Sequence, residues 1–227
     1  MFEVIGNLSE ILLDSGQIAG RIVCPPCLIP APGQYLLAHD INDANVPLPV
    51  PVYLASPHPD GFTTAAPIPS AWTPGTQLHL RGPLGKGFTL PKSAQQVALV
   101  ALGGTTSRLL ALLTPTFVQG AVVTLLCDNP LSDLPLDVEI RPLSELPEIR
   151  AWADYLALDL PRENLSSLRT QLGLMPEEFA PKNAQALIES PVPCGGIGEC
   201  GICSAKTRRG WKLTCKDGPV FDLEELI

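Results

Sequence analysis

The stretch that decides the fold of the C-terminal part of this chain is Cys194–Cys203, which reads CGGIGECGIC. With Cys215, its three cysteines follow the spacing Cys-x5-Cys-x2-Cys-x11-Cys. Residues 181–227 otherwise show little apolar periodicity, so this segment cannot build a core from its own side chains. Glycines separate the cysteines, and residues without a Cβ let backbone N–H groups approach a buried anionic group. The pattern predicts a metal-binding module with four ligands, Cys194, Cys200, Cys203 and Cys215.

Two kinds of metal centre fit four cysteines. A plant-type [2Fe–2S] cluster takes three thiolates from one loop and a fourth from farther along the chain. Structural zinc sites usually combine two Cys-x2-Cys pairs, and here only Cys200 and Cys203 form one. The gap of five residues after Cys194 is one longer than the ferredoxin spacing. The spacing favours [2Fe–2S], with zinc as the alternative.

The composition excludes several classes of protein. The chain has 227 residues and a net charge of −8, and charged residues make up 17%. The acidic balance gives no general reason to bind nucleic acid or an anionic membrane. We find no apolar run long enough to span a bilayer and no signal-peptide pattern at the N-terminus. Four of the seven cysteines crowd near the C-terminus, which favours metal binding in a reducing, cytoplasmic compartment over a disulfide framework.

Residues 1–90 have the pattern of a small antiparallel β-barrel. Short apolar segments alternate with turns rich in proline and glycine, and proline confines its neighbours to strand edges and turns. The predicted strands are Phe2–Ile5, Ile18–Val23, Gln34–Ala38, Val50–Ala55 and Gln77–Arg81.

Residues 91–180 have the pattern of a parallel α/β domain. Val97–Leu102 is a continuous apolar run, as expected of a strand buried on both faces. Further strands are predicted at Val122–Cys127 and Val138–Ile140, with helices over Arg108–Leu113 and from Pro161 to Gly173. The whole chain is therefore expected to be a multidomain α+β protein with a barrel, a parallel α/β domain and a C-terminal cluster module.

Three phrases resemble the ferredoxin-reductase-like family, in particular the electron-transfer subunits of dihydroorotate dehydrogenase B. The most specific is the C-terminal run from Cys215 to Phe221, CKDGPVF, which follows Cys200-x2-Cys203. The others are PGQY at Pro32–Tyr35 and GPLGKGF at Gly82–Phe88. The family's order of a flavin-binding barrel, a nicotinamide-binding α/β domain and a [2Fe–2S] tail matches residues 1–90, 91–180 and 181–227.

The resemblance implies an electron relay. In the family, electrons pass from a separate catalytic flavoprotein that oxidises dihydroorotate, through the [2Fe–2S] cluster, to FAD and then NAD. This chain would then be an oxidoreductase subunit of a hetero-oligomer in pyrimidine biosynthesis, not a self-sufficient catalyst. Its cofactors would be [2Fe–2S] and FAD, and the four cysteines carry over as cluster ligands.

Two of the family's nucleotide motifs are altered. The flavin motif has an arginine for the pyrophosphate, whereas residues 47–56 contain none, which leaves Tyr53 and backbone N–H groups as candidate contacts. The glycine-rich turn reads Gly103-Gly104-Thr105-Thr106, so Gly103 and Gly104 are either nucleotide contacts or an ordinary turn. These departures support a second hypothesis: a non-enzymatic accessory or assembly subunit that keeps the cluster but has lost FAD and NAD binding.

Overall fold

The N-terminal strands form a closed barrel. The computed structural model describes residues 2–14, 16–43, 48–103, 105–129 and 134–227. Neighbouring barrel strands run antiparallel in the order β1-β2-β5-β4-β3-β6, which confirms the predicted antiparallel barrel. The strands are β1 (Phe2–Asp14), β2 (Gln17–Val23), β3 (Tyr35–Asp40), β4 (Val50–His58), β5 (Gly61–Thr64) and β6 (Gln77–Leu84). The sequence analysis missed β5, a four-residue strand that directly follows a turn.

The remaining strands form a six-stranded sheet and a separate hairpin. They are β7 (Gln96–Ala101), β8 (Val122–Leu126), β9 (Val138–Arg141), β10 (Tyr155–Pro161), β11 (Ala184–Glu189), β12 (Ser204–Thr207), β13 (Gly210–Leu213) and β14 (Val220–Asp222). The sheet has the order β14-β11-β10-β7-β8-β9, and β12 pairs with β13. Its strands are parallel except β14, which runs antiparallel to β11. This confirms the parallel α/β prediction.

The helices are short and differ from those predicted. They are α1 (Leu113–Val118), α2 (Leu146–Trp152), α3 (Leu168–Gln171), α4 (Thr214–Asp217) and α5 (Leu223–Leu226). The helix predicted over Arg108–Leu113 has the wrong bounds: a 3-10 turn spans Leu110–Leu112, and α1 begins at Leu113 and holds Pro115 in its first turn, where proline is tolerated. The helix predicted from Pro161 is also wrong: Pro161 ends β10, a 3-10 turn follows, and α3 is only four residues long. Leu168 and Leu172 are nevertheless buried in the core of the sheet.

The barrel and the sheet share an apolar interface. Tyr35, Leu37 and Tyr53 of the barrel pack with Leu187 of β11 and Val220 of β14. Two strands from residues 181–227 thus belong to the sheet, and Phe221 and Leu223 join its core. The C-terminal segment therefore packs its apolar side chains into hydrophobic cores formed mainly by the rest of the chain, as expected from its lack of apolar periodicity.

A buried ion pair joins the chain after β7 to β10. The Arg108 guanidinium donates from Nε to Asp159 Oδ2 at 2.9 Å and from Nη2 to Asp159 Oδ1 at 3.1 Å. Nη2 also donates to Glu189 Oε2 at 2.8 Å. The exposed fractions are 3% for the Arg108 side chain and 0% for Asp159. Burial tends to lower the pKa of Arg108, but the two carboxylates outweigh it and raise the pKa, so the guanidinium stays charged. We call Arg108, Asp159 and Glu189 the Arg108 ion cluster.

Removal of one partner of this pair should destabilise the fold strongly. We expect Arg108→Met to lower the free energy of unfolding by about 3–5 kcal/mol, because it leaves the Asp159 carboxylate buried without its partner. The double variant Arg108→Met/Asp159→Leu should recover most of that loss, since apolar pairs of similar volume replace buried ion pairs well. Urea denaturation measures both effects.

The control is Arg141→Met, which removes an exposed arginine that pairs with Glu139 and Glu145. Its denaturation midpoint should stay near that of the wild type. A loss as large for Arg141→Met as for Arg108→Met, or no recovery in the double variant, would contradict the importance of the buried pair.

Candidate metal centre

The loop between Cys194 and Cys203 depends on glycine to reverse its direction repeatedly. Gly195, Gly196, Gly198 and Gly201 have φ values of 64°, 76°, 79° and 70°, a region that side chains with a Cβ rarely occupy. The loop therefore curls tightly enough to aim several backbone N–H groups inward. This is the arrangement that the glycine spacing of the sequence predicts.

The four predicted cysteines are brought together as two pairs. Cys203 and Cys215 are buried, with exposed fractions of 1% and 6%, and their sulfur atoms lie 3.2 Å apart. Cys194 and Cys200 form a second pair through a side-chain hydrogen bond. Electrostatic interactions connect Cys215 with all three other thiols. The local chain explains the first pair: the β12–β13 hairpin returns the backbone, and the Thr214 N–H donates to the Cys203 carbonyl at 3.0 Å.

Two pairs of thiols suit a two-iron cluster better than a single ion. Four thiolates serve two irons in a [2Fe–2S] cluster, whereas a structural zinc ion draws all four ligands around one point. Within the described residues, no three His, Cys, Asp or Glu side chains are close enough to hold a metal ion as they stand, so the pairing of the thiols is what the structure shows. The donor set, four sulfurs with glycine N–H groups around them, fits [2Fe–2S].

The pKa values of the thiols show how strongly the loop favours negative charge at one end. Burial tends to raise the pKa of Cys194, but N–H groups of Gly198, Cys200 and Glu199 and the Cys200 side chain outweigh it and lower the pKa to about 6. At Cys215, burial, the hydrogen bond with Cys203 and the charges of the other thiolates raise the pKa to about 12. A metal centre favours the deprotonated form of every ligand, so it would remove this repulsion.

Barrel residues hold the loop in place. The Tyr35 hydroxyl lies 3.5 Å from the Cys215 carbonyl oxygen, to which it can donate, and Arg81 of β6 donates to the Gly195 carbonyl. On the other side, Arg162 donates to the Ile202 carbonyl. Burial, followed by the nearby thiols, raises the pKa of Tyr35, so the phenol remains a neutral donor. The sequence analysis did not identify Arg81 or Arg162, because neither lies in a motif.

A cleft of about 610 Å³ lies between the barrel and the carboxyl ends of the sheet strands. Its lining is mostly apolar and includes Tyr53, Pro67 and Pro191, together with Arg108 and Glu189. The centroids of the Tyr53 and Tyr35 rings lie 5.5 Å apart. The Arg108 guanidinium lies 5.8 Å from the centroid of the Tyr53 ring. Two packed aromatic rings thus connect the cleft with the cysteine loop.

The predicted glycine turn lies at the end of β7, away from the cysteine loop. Gly103 packs against Pro161, and Gly104 lies outside the described residues. Beside this turn lies the Arg108 ion cluster, which the sequence analysis did not anticipate. A signal was present, because Asp159 interrupts the apolar run Tyr155–Leu160 and a charge in a buried strand requires a partner.

Comparison with known proteins places the cysteine loop in a family. Residues 189–227 match the model of the iron-sulfur cluster binding domain of dihydroorotate dehydrogenase B. The chain is 41% identical over 49 residues to sulfhydrogenase 1 subunit gamma of Pyrococcus furiosus, an alignment covering 22% of this chain and 16% of that protein. It is 29% identical over 168 residues to the dihydroorotate dehydrogenase B (NAD(+)) electron transfer subunit of Clostridium perfringens, covering 65% of each chain. The chain thus spans less than two thirds of the length of either relative.

A third alignment and the solved structures cover more of the chain. The corresponding electron transfer subunit of Desulforamulus reducens is 25% identical over 235 residues, or 86% of each chain. A chain of an NADH-dependent reduced ferredoxin-NADP oxidoreductase superposes with a TM-score of 0.73 at 16% identity, over 98% of this chain and 89% of that one.

A second solved structure shows the same architecture. A ferredoxin NADP+ reductase from Neisseria gonorrhoeae superposes with a TM-score of 0.57 at 11% identity, over 82% of this chain and 98% of that one. At such identities the superpositions establish the fold and no more. The chain has the ferredoxin-reductase-like fold, and residues 189–227 are similar to the iron–sulfur cluster binding domain of dihydroorotate dehydrogenase B.

Proposed function

We propose that this chain is an electron-transfer subunit that carries electrons through a [2Fe–2S] cluster held by Cys194, Cys200, Cys203 and Cys215. The observation that carries the proposal is the arrangement of four thiols as two pairs inside the segment that matches the iron–sulfur domain. A [2Fe–2S] cluster supplies one-electron transfer. The protein residues position it: the glycine loop offers N–H donors, and Tyr35 and Arg81 fix the loop against the barrel.

The proposed donor is a catalytic flavoprotein that oxidises dihydroorotate, in a hetero-oligomer with this chain. Two relatives named as dihydroorotate dehydrogenase B electron transfer subunits support this partner. The cluster loop presents exposed apolar side chains beside the exposed Cys200, namely Ile197 at 58% and Ile202 at 48% exposed, which suits a protein interface close to the cluster.

We also propose a cytoplasmic location and a division at 1–90, 91–180 and 181–227. All seven cysteines are free, which suits a reducing compartment. Among the described residues, no helix is both long and apolar enough to cross a membrane. The three segments would act as flavin-type barrel, degenerate nucleotide-type α/β domain and cluster module.

The cleft beside Tyr53 fits the flat ring of a flavin better than its pyrophosphate. Its walls are mostly apolar, and a flavin bound there would couple two-electron chemistry to the one-electron cluster. Residues 47–56 lack the arginine of the related motif, and Arg108, the cation among the described lining residues, already binds Asp159 and Glu189. We therefore propose that Tyr53 holds the ring of FAD, while backbone N–H groups serve the phosphates. The role of Gly103 and Gly104, as nucleotide contacts or as an ordinary turn, stays a prediction.

The accessory-subunit hypothesis is the second candidate. The Arg108 ion cluster favours this hypothesis. Arg108 is the cation among the described residues that line the cleft, and it is already paired with Asp159 and Glu189 instead of being free to bind a phosphate. The two candidates differ in the FAD content of the purified chain, which the measurement of heat-released FAD determines.

Cys203→Ser should abolish the visible absorption bands of the cluster. Cys203 is buried against Cys215, so loss of its thiolate leaves one iron with an incomplete ligand set. The measurement is the absorption spectrum of anaerobically purified protein, with iron and acid-labile sulfide expected at about two each per wild-type chain. The control, Cys27→Ser, changes an exposed cysteine on the barrel. This variant should keep the cluster bands and the wild-type content of iron and acid-labile sulfide. Stoichiometric zinc without labile sulfide in the wild type would overturn the assignment.

Tyr53→Leu should reduce the amount of FAD that copurifies with the chain, because Tyr53 forms the aromatic wall of the cleft. Heat-released FAD, quantified by its fluorescence, measures this against Tyr155→Phe, which alters a buried tyrosine of β10 bonded to Gln185. We expect stoichiometric FAD in the wild type and in the control. Cluster bands without any FAD in the wild type would instead support the accessory subunit.

A further inference from the structure

The order of the sheet strands locates the position where a nucleotide would bind. From β7, the chain continues to β8 and β9 on one side and then to β10 and β11 on the other. The order therefore reverses between β7 and β10, whose residues Ala101 and Asp159 are paired at the carboxyl ends of the strands. In open α/β sheets, ligands bind in the crevice outside these ends at such a switch point.

The Arg108 ion cluster lies in this crevice, where Arg108 and Glu189 also line the cleft beside Tyr53. Arg108 lies in the segment after β7, Asp159 lies near the C-terminal end of β10, and Glu189 is the last residue of β11. The ion pair between Arg108 and Asp159 is bidentate, at 2.9 and 3.1 Å, and almost completely excluded from water. A buried, charge-paired group of side chains thus lies at the switch point, where an open α/β sheet would otherwise receive its ligand.

The turn that would hold phosphates is closed as well. A Cβ on Gly103 would lie 2.7 Å from Cδ of Pro161, the Leu102 N–H donates to the Asp159 carbonyl at 2.8 Å, and Asn164 donates to the Leu102 carbonyl at 3.0 Å. Helix α1 begins only at Leu113 and has six residues. A 3-10 turn at Leu110–Leu112 precedes it, so the described residues after the glycine turn do not form the long α-helix whose N-terminus binds a pyrophosphate in dinucleotide-binding folds.

The charges of the crevice also oppose an anion. Asp159 and Glu189 together carry two negative charges against one positive charge on Arg108, so the cluster is acidic as a whole. A dinucleotide pyrophosphate would approach a wall with net negative charge. The guanidinium in this wall, that of Arg108, already has carboxylate partners. Like charges repel, and most strongly where burial keeps water away, as it does at Asp159.

We infer that Arg108 and Asp159 are specificity-determining residues that exclude NAD(H) and NADP(H) from the switch-point crevice of this chain. This rests on the proposed electron-transfer function and narrows it: the carrier that exchanges electrons with the cluster is flavin in the cleft or a group on a partner protein, not a nicotinamide dinucleotide bound by this chain.

The first test titrates the full cluster-containing chain with NADH and NADPH up to about 1 mM, the upper end of ordinary KM values. Calorimetry and nicotinamide fluorescence are expected to show no saturable binding, and saturable binding would overturn the inference. A separate experiment tests the electron-transfer function: the same sample is reduced with dithionite, and the reduction is monitored as bleaching of the cluster absorption bands. A sample that dithionite reduces but that also binds NADH would leave the function intact and refute only the exclusion.

The second test removes both charges at once. Arg108→Ala/Asp159→Ala leaves neither member of the pair without its partner and empties the crevice, so NADH affinity should rise by about tenfold or more above the wild-type limit. Unchanged cluster bands and circular dichroism show that the variant is folded. The matched control is Glu139→Ala/Arg141→Ala, an exposed pair on β9, which should bind no NADH. Failure of the folded double variant to gain affinity would overturn the assignment of the barrier to this ion pair.

Discussion

Mutual repulsion of four cysteine sulfurs in one small volume is the constraint on which the C-terminal part of this protein depends. The same loop lowers the pKa of Cys194 with backbone N–H groups and raises that of Cys215 through burial and the neighbouring thiols. Without a positively charged centre, these groups cannot all be deprotonated at low cost. A pair of irons would supply that positive charge, and the glycines would permit the backbone to surround the cluster closely.

This loop is not an independent unit. Tyr35 and Arg81 reach it from the barrel, and Phe221, only six residues after Cys215, belongs to the core of the sheet. The cluster module is consequently positioned by both larger parts of the chain. The same contacts place Tyr35 between the cysteines and Tyr53, so the metal centre and the cleft lie on either side of two packed rings.

Several features of the fold and of the site followed from local patterns. Alternation with proline-rich turns identified the barrel, continuous apolar runs identified β7 and β8, and the cysteine spacing identified the ligands as a group. Patterns failed where tertiary contacts override local preference. The helix expected from Arg108 starts later, with a 3-10 turn at Leu110, and Pro161 ends a strand because β10 pairs with β11 in parallel. Strands β10, β11 and β14 were missed for a related reason, since their partners are distant in sequence.

The sequence by itself determined the chemistry of the donor set, because four cysteines and the glycines between them define which atoms can bind metal and how closely the backbone can approach. It also determined the order of barrel, sheet and module through the periods of apolar residues. Only the tertiary structure decided how the sulfurs pair and what occupies the crevice beside β7. Those outcomes depend on the packing of residues such as Arg108, Asp159 and Glu189, which lie 30 to 81 positions apart and meet only when the sheet has formed.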